Sequence, residues 1–153
     1  MRRFALLMAL TIPCFLSACS DKGRPLDASQ IDTMQIKFPD GFTIRAEIMV
    51  REEDLFKGMK FRPSLAEDRG MIFMHGKEDF YPYWMYEVLV PLDLIWLDKD
   101  RRIVQLIHQA PPCPGPREKC LSYGGQFKAI FVLEVPAGTA AKHGLKPGMQ
   151  LEF

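Results

Sequence analysis

The segment YWMYEVLVPLDLIW, residues 83–96, places Glu87 and Asp93 in an otherwise apolar run. Two carboxylates can divide acid and base roles when their environments differ, or they can ligate a hard cation. Hydrolytic chemistry would need both in one cleft, within about 10 Å, the outer spacing at which two acids act on one bond. A structural reading competes with this. An unpartnered carboxylate in a core is costly, so Asp93 must be paired, capped onto backbone amides, or turned to a cleft. Arg62 is the expected partner, because a planar guanidinium holds a carboxylate through two parallel bonds. That pair would fix the Arg62 loop to the sheet. Glu87 reads as an exposed strand-end acid, since Pro91 interrupts strand pairing just beyond it. Glu134, inside IFVLEV, is a third acid in apolar surroundings, either pointing outward or bonding a neighbouring loop.

Other chemistry is weaker. Met59, Met71, Met74 and Met85 fall close together near His75, and soft thioethers select Cu(I), although methionine is also a common core filler. His75, at the end of a strand, is expected to be exposed, and His143 to sit in the last turn of a helix, where a cation suits the dipole. No H-x-x-x-H pair, nucleophile elbow, phosphate loop or dinucleotide fingerprint is present. Strand alternation sends Tyr81, Tyr83 and Met85 to one face, and Trp84 and Tyr86 to the other. One face must be core; the other can be an aromatic binding strip.

These residues need elements to position them. MQIKF, a PDG turn and FTIRAEIMV make a hairpin, with Ile44, Ala46, Ile48 and Val50 on one face. REEDLFKGMK predicts a short helix with acids first and lysines last, burying Leu55, Phe56 and Met59. Ser64 three positions before Glu67 predicts a one-turn helix stopped at Gly70. Strands follow over 71–74, 81–86, 92–97, 103–108 and 127–135. AGTAAKHG predicts a helix closed by Gly144, and 149–153 a last strand. The sum is an α+β, β-rich domain: mostly antiparallel strands in a curled or barrel-like sheet, with a few short helices.

The N-terminus carries processing information. Arg2 and Arg3 precede a short apolar run, Phe4 to Leu16, and small residues follow. That is the layout of a secretory signal, and the run is short for a bilayer span. LSAC, residues 16–19, resembles a bacterial lipoprotein signal. The resemblance implies a signal peptide over 1–18, lipid on Cys19, and a periplasm-facing anchor, with Ser20 pointing to the outer membrane. Dual or triple acylation anchors stably, at about 0.8 kcal/mol per buried methylene. Residues 19–33 read as a polar tether and 34–153 as one globular domain. Removing Arg2 and Arg3 leaves 18 basic against 19 acidic residues, a net charge of −1. That balance shows no basic patch and argues against a nucleic-acid partner. Cys14 leaves with the signal and Cys19 takes lipid. Cys113 and Cys120 remain, and in an oxidising compartment they are expected to pair. Their C-x6-C spacing is not that of a thiol oxidoreductase; zinc on both thiolates and His108 is the alternative.

GMKFRPSL, GMIFMH, WMYEVLVPLDLIWLD, PPC…C…Y, FVLEVPAG and HGLKPG occur in order. Together they resemble the family called domain of unknown function 192, over about residues 45–153. The resemblance implies a compact β-rich α+β fold and brings no established activity. Arg62, Trp84, Asp93, Cys113, Cys120 and Tyr123 fall on matching positions. Tyr86, Glu87 and Val88 depart from the usual Lys-Asn-Thr, and Lys60 stands where Met is common. The resulting expectation is a non-catalytic module binding an envelope protein or small ligand near Arg62, Trp84, Glu87, Asp93 and Tyr123, with no cofactor. A hydrolase using Asp93 and Glu87, or copper handling through methionine, is the alternative.

Overall fold

The computed structural model describes residues 32–153. The expected signal, Cys19 and nearly all of the expected tether lie outside the described residues.

Eight strands and two short helices follow one another: β1 Thr33–Lys37, β2 Thr43–Met49, α1 Glu52–Lys57, β3 Arg69–Asp79, β4 Pro82–Trp84, β5 Leu92–Leu97, β6 Ile103–Ala110, β7 Ser122–Gly124, β8 Ala129–Pro136 and α2 Thr139–Lys142. A 3-10 turn spans Arg117–Lys119. Six strands form one sheet in the order β1-β2-β3-β8-β5-β6, and β4 pairs with β7 separately. Every pairing in the large sheet is antiparallel except β2 with β3. The crossover through α1 creates that parallel pair. The sheet is open, as a β-rich α+β fold with few helices. Its C-terminal segment nonetheless bonds β1 through Lys37 and Glu152, and the start of β6 through Met149 and Ile103.

β8 and β5 are central, which explains their nearly unbroken apolar runs. Alternation along them divides the core between two faces. Ile95, Leu97, Leu133 and Val135 pack with Ile36, Ile44, Ile72 and Ala140 of α2. Leu94, Trp96 and Val132 pack on the other side with Met59, Met71, Phe73 and Met85. Glu134 shares the parity of Val132 and therefore the second face. Asp93 shares the parity of Ile95 and therefore the first.

The structure corrects several expectations. α1 ends at Gly58, whose φ of 45° breaks the helix. Met59 is buried beyond the helix, while Phe56 is 64% exposed. The Ser64–Glu67 stretch makes no helix, because β3 already begins at Arg69; only a turn bonds Arg69 N to Ala66 O. β2 changes phase near its end, so Met49 is buried and Val50 is exposed. Residues 149–153 bridge the sheet without forming a full strand. β7 was not anticipated. It exists because β4 needs a partner, and its three residues are too few to show a period.

Candidate functional site

Gly58 lets the chain leave α1 across the ring of Phe73, where an added Cβ would come within 3.1 Å. The next residues, Met59 and Lys60, enter the second core face. Lys60 pairs with Val88 through an isolated antiparallel bridge, and Phe61 N donates to Glu87 O at 3.0 Å. Phe61 and Glu87 both hold a positive φ, 61° and 62°. That conformation is uncommon for such residues, and it clusters at sites where surrounding structure enforces it.

The opposite wall is β4 with the residues that follow it. β4 is held by β7, with Tyr83 opposite Tyr123 and Trp84 opposite Ser122. Gly124 allows β7 to lie on Trp96, since a Cβ there would overlap the indole. Cys113 and Cys120 form the expected disulfide. The loop it closes is tied to the wall by Cys113 N donating to Met85 O at 3.1 Å, and its Arg117 guanidinium lies 4.2 Å from the Trp84 ring. Alternation holds: Tyr83 meets Phe73 and Trp96 edge-on in the core, Met85 is buried beside them, and Trp84 pairs edge-on with Tyr86 on the other side.

Between these walls lies a cleft of ≈ 40 Å³, lined by α1, Gly58 to Lys60, Phe73, Tyr83, Trp84, Tyr86, Val88 and Glu134. Glu134 is 4% exposed. Its Oε2 has no hydrogen-bond partner among the described residues. Burial pushes its carboxyl up to about 8, against a smaller opposing pull from Arg62. Tyr83 is also raised, by burial first and then by the charge of Glu134. The Tyr83 hydroxyl lies 3.0 Å from His75 Nε2. His75 is not the exposed residue expected. It stacks on Tyr81, and burial lowers its pKa. Lys60 is 6% exposed; its ammonium stands 3.7 Å from the centre of the Phe56 ring, 5.7 Å from that of Tyr86 and 3.7 Å from Glu87 Oε2.

The expected Arg62–Asp93 pair does not form. Arg62 holds Glu47 through two bonds of 2.7 and 2.8 Å, because β2, not β5, runs beside β3 at this end. Asp93 is 0% exposed and accepts from Gln109 N and Ala140 N, both at 2.8 Å. It caps α2 and pins a bulge of β6, at Gln109 with its φ of 51°. Asp93 therefore faces α2 while Glu87 lies beside Lys60 and Val88 on the other sheet face. The pairing that a two-acid hydrolase requires is absent. Met59, Met71 and Met85 are buried with Met49 in one hydrophobic cluster, as core fillers are, and Met74 stays outside it. Among the described residues no three His, Cys, Asp or Glu side chains sit close enough to hold a metal ion. His143 caps α2 at its C-terminus and reaches Asp40 at 2.7 Å.

Of the expected site residues, Trp84 lines the cleft, Glu87 stands beside it against Lys60, and Tyr123 braces its wall. Arg62 lies close enough to act on Glu134, and Asp93 is elsewhere. Sequence reading missed Lys60 as a cleft residue and left the direction of Glu134 open. The parity of Glu134 with Val132 in a doubly buried strand was the available signal for its burial. Lys60 offered none.

An open β-rich α+β domain with a small acid-floored, aromatic-walled cleft defines the class. The family profile for domain of unknown function 192, described as "Uncharacterized ACR", matches residues 35–153. The chain belongs to that family. Among solved structures it is similar to a protein of Sinorhizobium meliloti 1021, provisionally described as a transcription regulator. That match has 25% identity and a TM-score of 0.71, over 80% of this chain and 94% of that one. It is also similar to a protein of unknown function from Novosphingobium aromaticivorans DSM 12444, with 30% identity and a TM-score of 0.68, over 80% of this chain and 85% of that one. No functionally curated protein matches.

Proposed function

We propose that the protein is a non-catalytic, lipid-anchored module of the cell envelope that binds a small ligand group in the Lys60–Glu134 cleft. Glu134 carries the reading: it is a buried carboxyl that lines the cleft and leaves Oε2 unpartnered. Structural polar groups of this kind almost always find partners, and Asp93 does so in the same fold. A carboxyl buried at a cleft and left short of a partner suits a ligand that completes it. The strained φ values of Phe61 and Glu87 at the rim point the same way.

The anchoring half rests on LSAC and the polar residues after it. Lipid on Cys19 would hold the domain on the periplasmic side of the outer membrane. The provisional regulator role of the Sinorhizobium protein draws no support from this chain, whose net charge is +1 overall. The binding half is tested by native mass spectra of the chain, exported to a periplasm and purified with nothing added, beside Glu134→Gln. Extra non-covalent mass in the parent, absent from the variant, is expected; identical bare spectra would refute the reading. For the anchor, Cys19→Ser should move the protein from the membrane fraction to the soluble one, and an unchanged distribution would refute it.

A further inference from the structure

We propose that the cleft is built for the ammonium end of a primary amine, and that the Lys60 ammonium is an internal surrogate which such a ligand displaces. This deepens the reading of the cleft as a ligand site and rests on it. The first observation is Lys60 itself. An ammonium has three donors, yet that of Lys60 makes no hydrogen bond among the described residues. Its ion pair with Glu87 is long at 3.7 Å. The faces of Phe56 and Tyr86 hold it instead, as aromatic faces hold ligand ammonium groups. The walls therefore already fit a cation of this shape, and few polar bonds oppose its release.

The second observation is the floor. Glu134 lines the same cleft with a buried, unpartnered oxygen. A ligand ammonium reaching past the surrogate would give that oxygen a charged donor, the stronger kind of hydrogen bond. Size is the third. A space of ≈ 40 Å³ holds only a few water-sized groups, which suits an ammonium and its first carbon. The exposed ring of Phe56 at the rim offers apolar surface to the alkyl chain behind it. The charged and titratable groups that act on or feel Glu134 are Arg62 and Tyr83, Lys60 lines the same cleft with its ammonium at Phe56, Tyr86 and Glu87, and the guanidinium of Arg62 is already committed to Glu47. Among the described residues, the one other acid beside the cleft is Glu87, at Lys60.

Bond formation to the ammonium draws Glu134 into its ionised form, so binding releases one proton. Below the raised carboxyl value, affinity should then rise with pH, by about tenfold per unit while the acid is mostly protonated.

The test uses butylammonium, butyramide and butyrate as probes. Each is titrated into the full chain, Lys60→Met and Glu134→Gln, following the Met59 methyl and Trp84 indole resonances. Butylammonium should shift both resonances, bind several-fold more tightly at pH 7.5 than at pH 6.5, and bind more tightly still to Lys60→Met. Glu134→Gln, which has the shape of the protonated acid, should lose that binding and its pH dependence. Equal or tighter binding of butyramide or butyrate, or undiminished butylammonium binding in Glu134→Gln, would overturn the ammonium assignment and leave the cleft a ligand site. No shift with any probe, in either the full chain or Lys60→Met, would overturn both.

Discussion

Replacing Glu134 with Gln should remove one specific slope from the pH dependence of stability. The carboxyl stands at about 8 in the folded chain against an ordinary 4.5. Between those values the folded protein keeps a proton that the unfolded chain has released. Stability therefore falls as pH rises through this window, by about 1.4 kcal/mol per pH unit for one proton. From pH 5.5 to 7.5 the loss is about 2.5 kcal/mol, the slope flattening as pH nears the folded value, a large share of the roughly 5–15 kcal/mol that holds a domain folded. Glu134→Gln mimics the protonated acid and has no such loss. His75, lowered by burial, acts in the opposite sense, losing stability as pH falls below its ordinary value. It is present in both proteins and cancels in their difference. Urea unfolding of both proteins at pH 5.5, 6.5 and 7.5 measures that difference. With a slope of about 1–3 kcal/mol per molar urea, the parent midpoint should fall relative to the variant by about 1 M or more. Parallel midpoints across the three pH values would refute the buried, proton-holding Glu134.

Asp93→Ala leaves two buried amides, Gln109 N and Ala140 N, without an acceptor. At about 1–3 kcal/mol each, it should lower unfolding free energy by about 2–6 kcal/mol, and a change under 1 kcal/mol in denaturant titration would contradict the capping role. A double-mutant cycle should give about 0.5–1 kcal/mol of coupling between Arg62 and Glu47, a half-buried bidentate pair; comparable coupling between Arg62 and Asp93 would restore the pairing that the structure removes. Cys113→Ser opens a loop with a sequence separation of 7 and should lower stability by about 2.5 kcal/mol on loop entropy. It should also loosen Arg117 from Trp84, read as a change in indole fluorescence; equal melting of the oxidised and reduced parent would refute the staple.

Much of the fold was legible where one residue pattern had one physical meaning. The nearly unbroken apolar runs of β5 and β8 announced strands, and the β1–β2 hairpin carried alternation around a PDG turn through most of its length. The split of Tyr83 and Met85 from Trp84 and Tyr86 followed from period two alone. The disulfide followed from elimination among four cysteines. The site was less legible because its residues meet through sheet order, which alternation does not encode. Arg62 seemed destined for Asp93 by chemistry, but the parallel β2–β3 pairing brings Glu47 to it. Asp93 and Glu87 are near in sequence and share a parity, yet Glu87 sits in a turn with a positive φ outside β5, so the two end on opposite faces. Glu134 could be read as inward or outward until β8 proved to be covered on both sides. Lys60 enters the core only because Gly58 ends α1 early, a local backbone event that the helix pattern conceals.

The central claim is that Glu134 is a buried, unpartnered carboxyl at the floor of a ligand cleft. Its side-chain carboxyl carbon, labelled with ¹³C and followed by NMR from pH 4 to pH 10, tests that claim most directly. The account predicts a titration midpoint near 8, as burial demands. A midpoint in the ordinary range near 4.5 would place the carboxyl in contact with water or a partner, and would contradict the account.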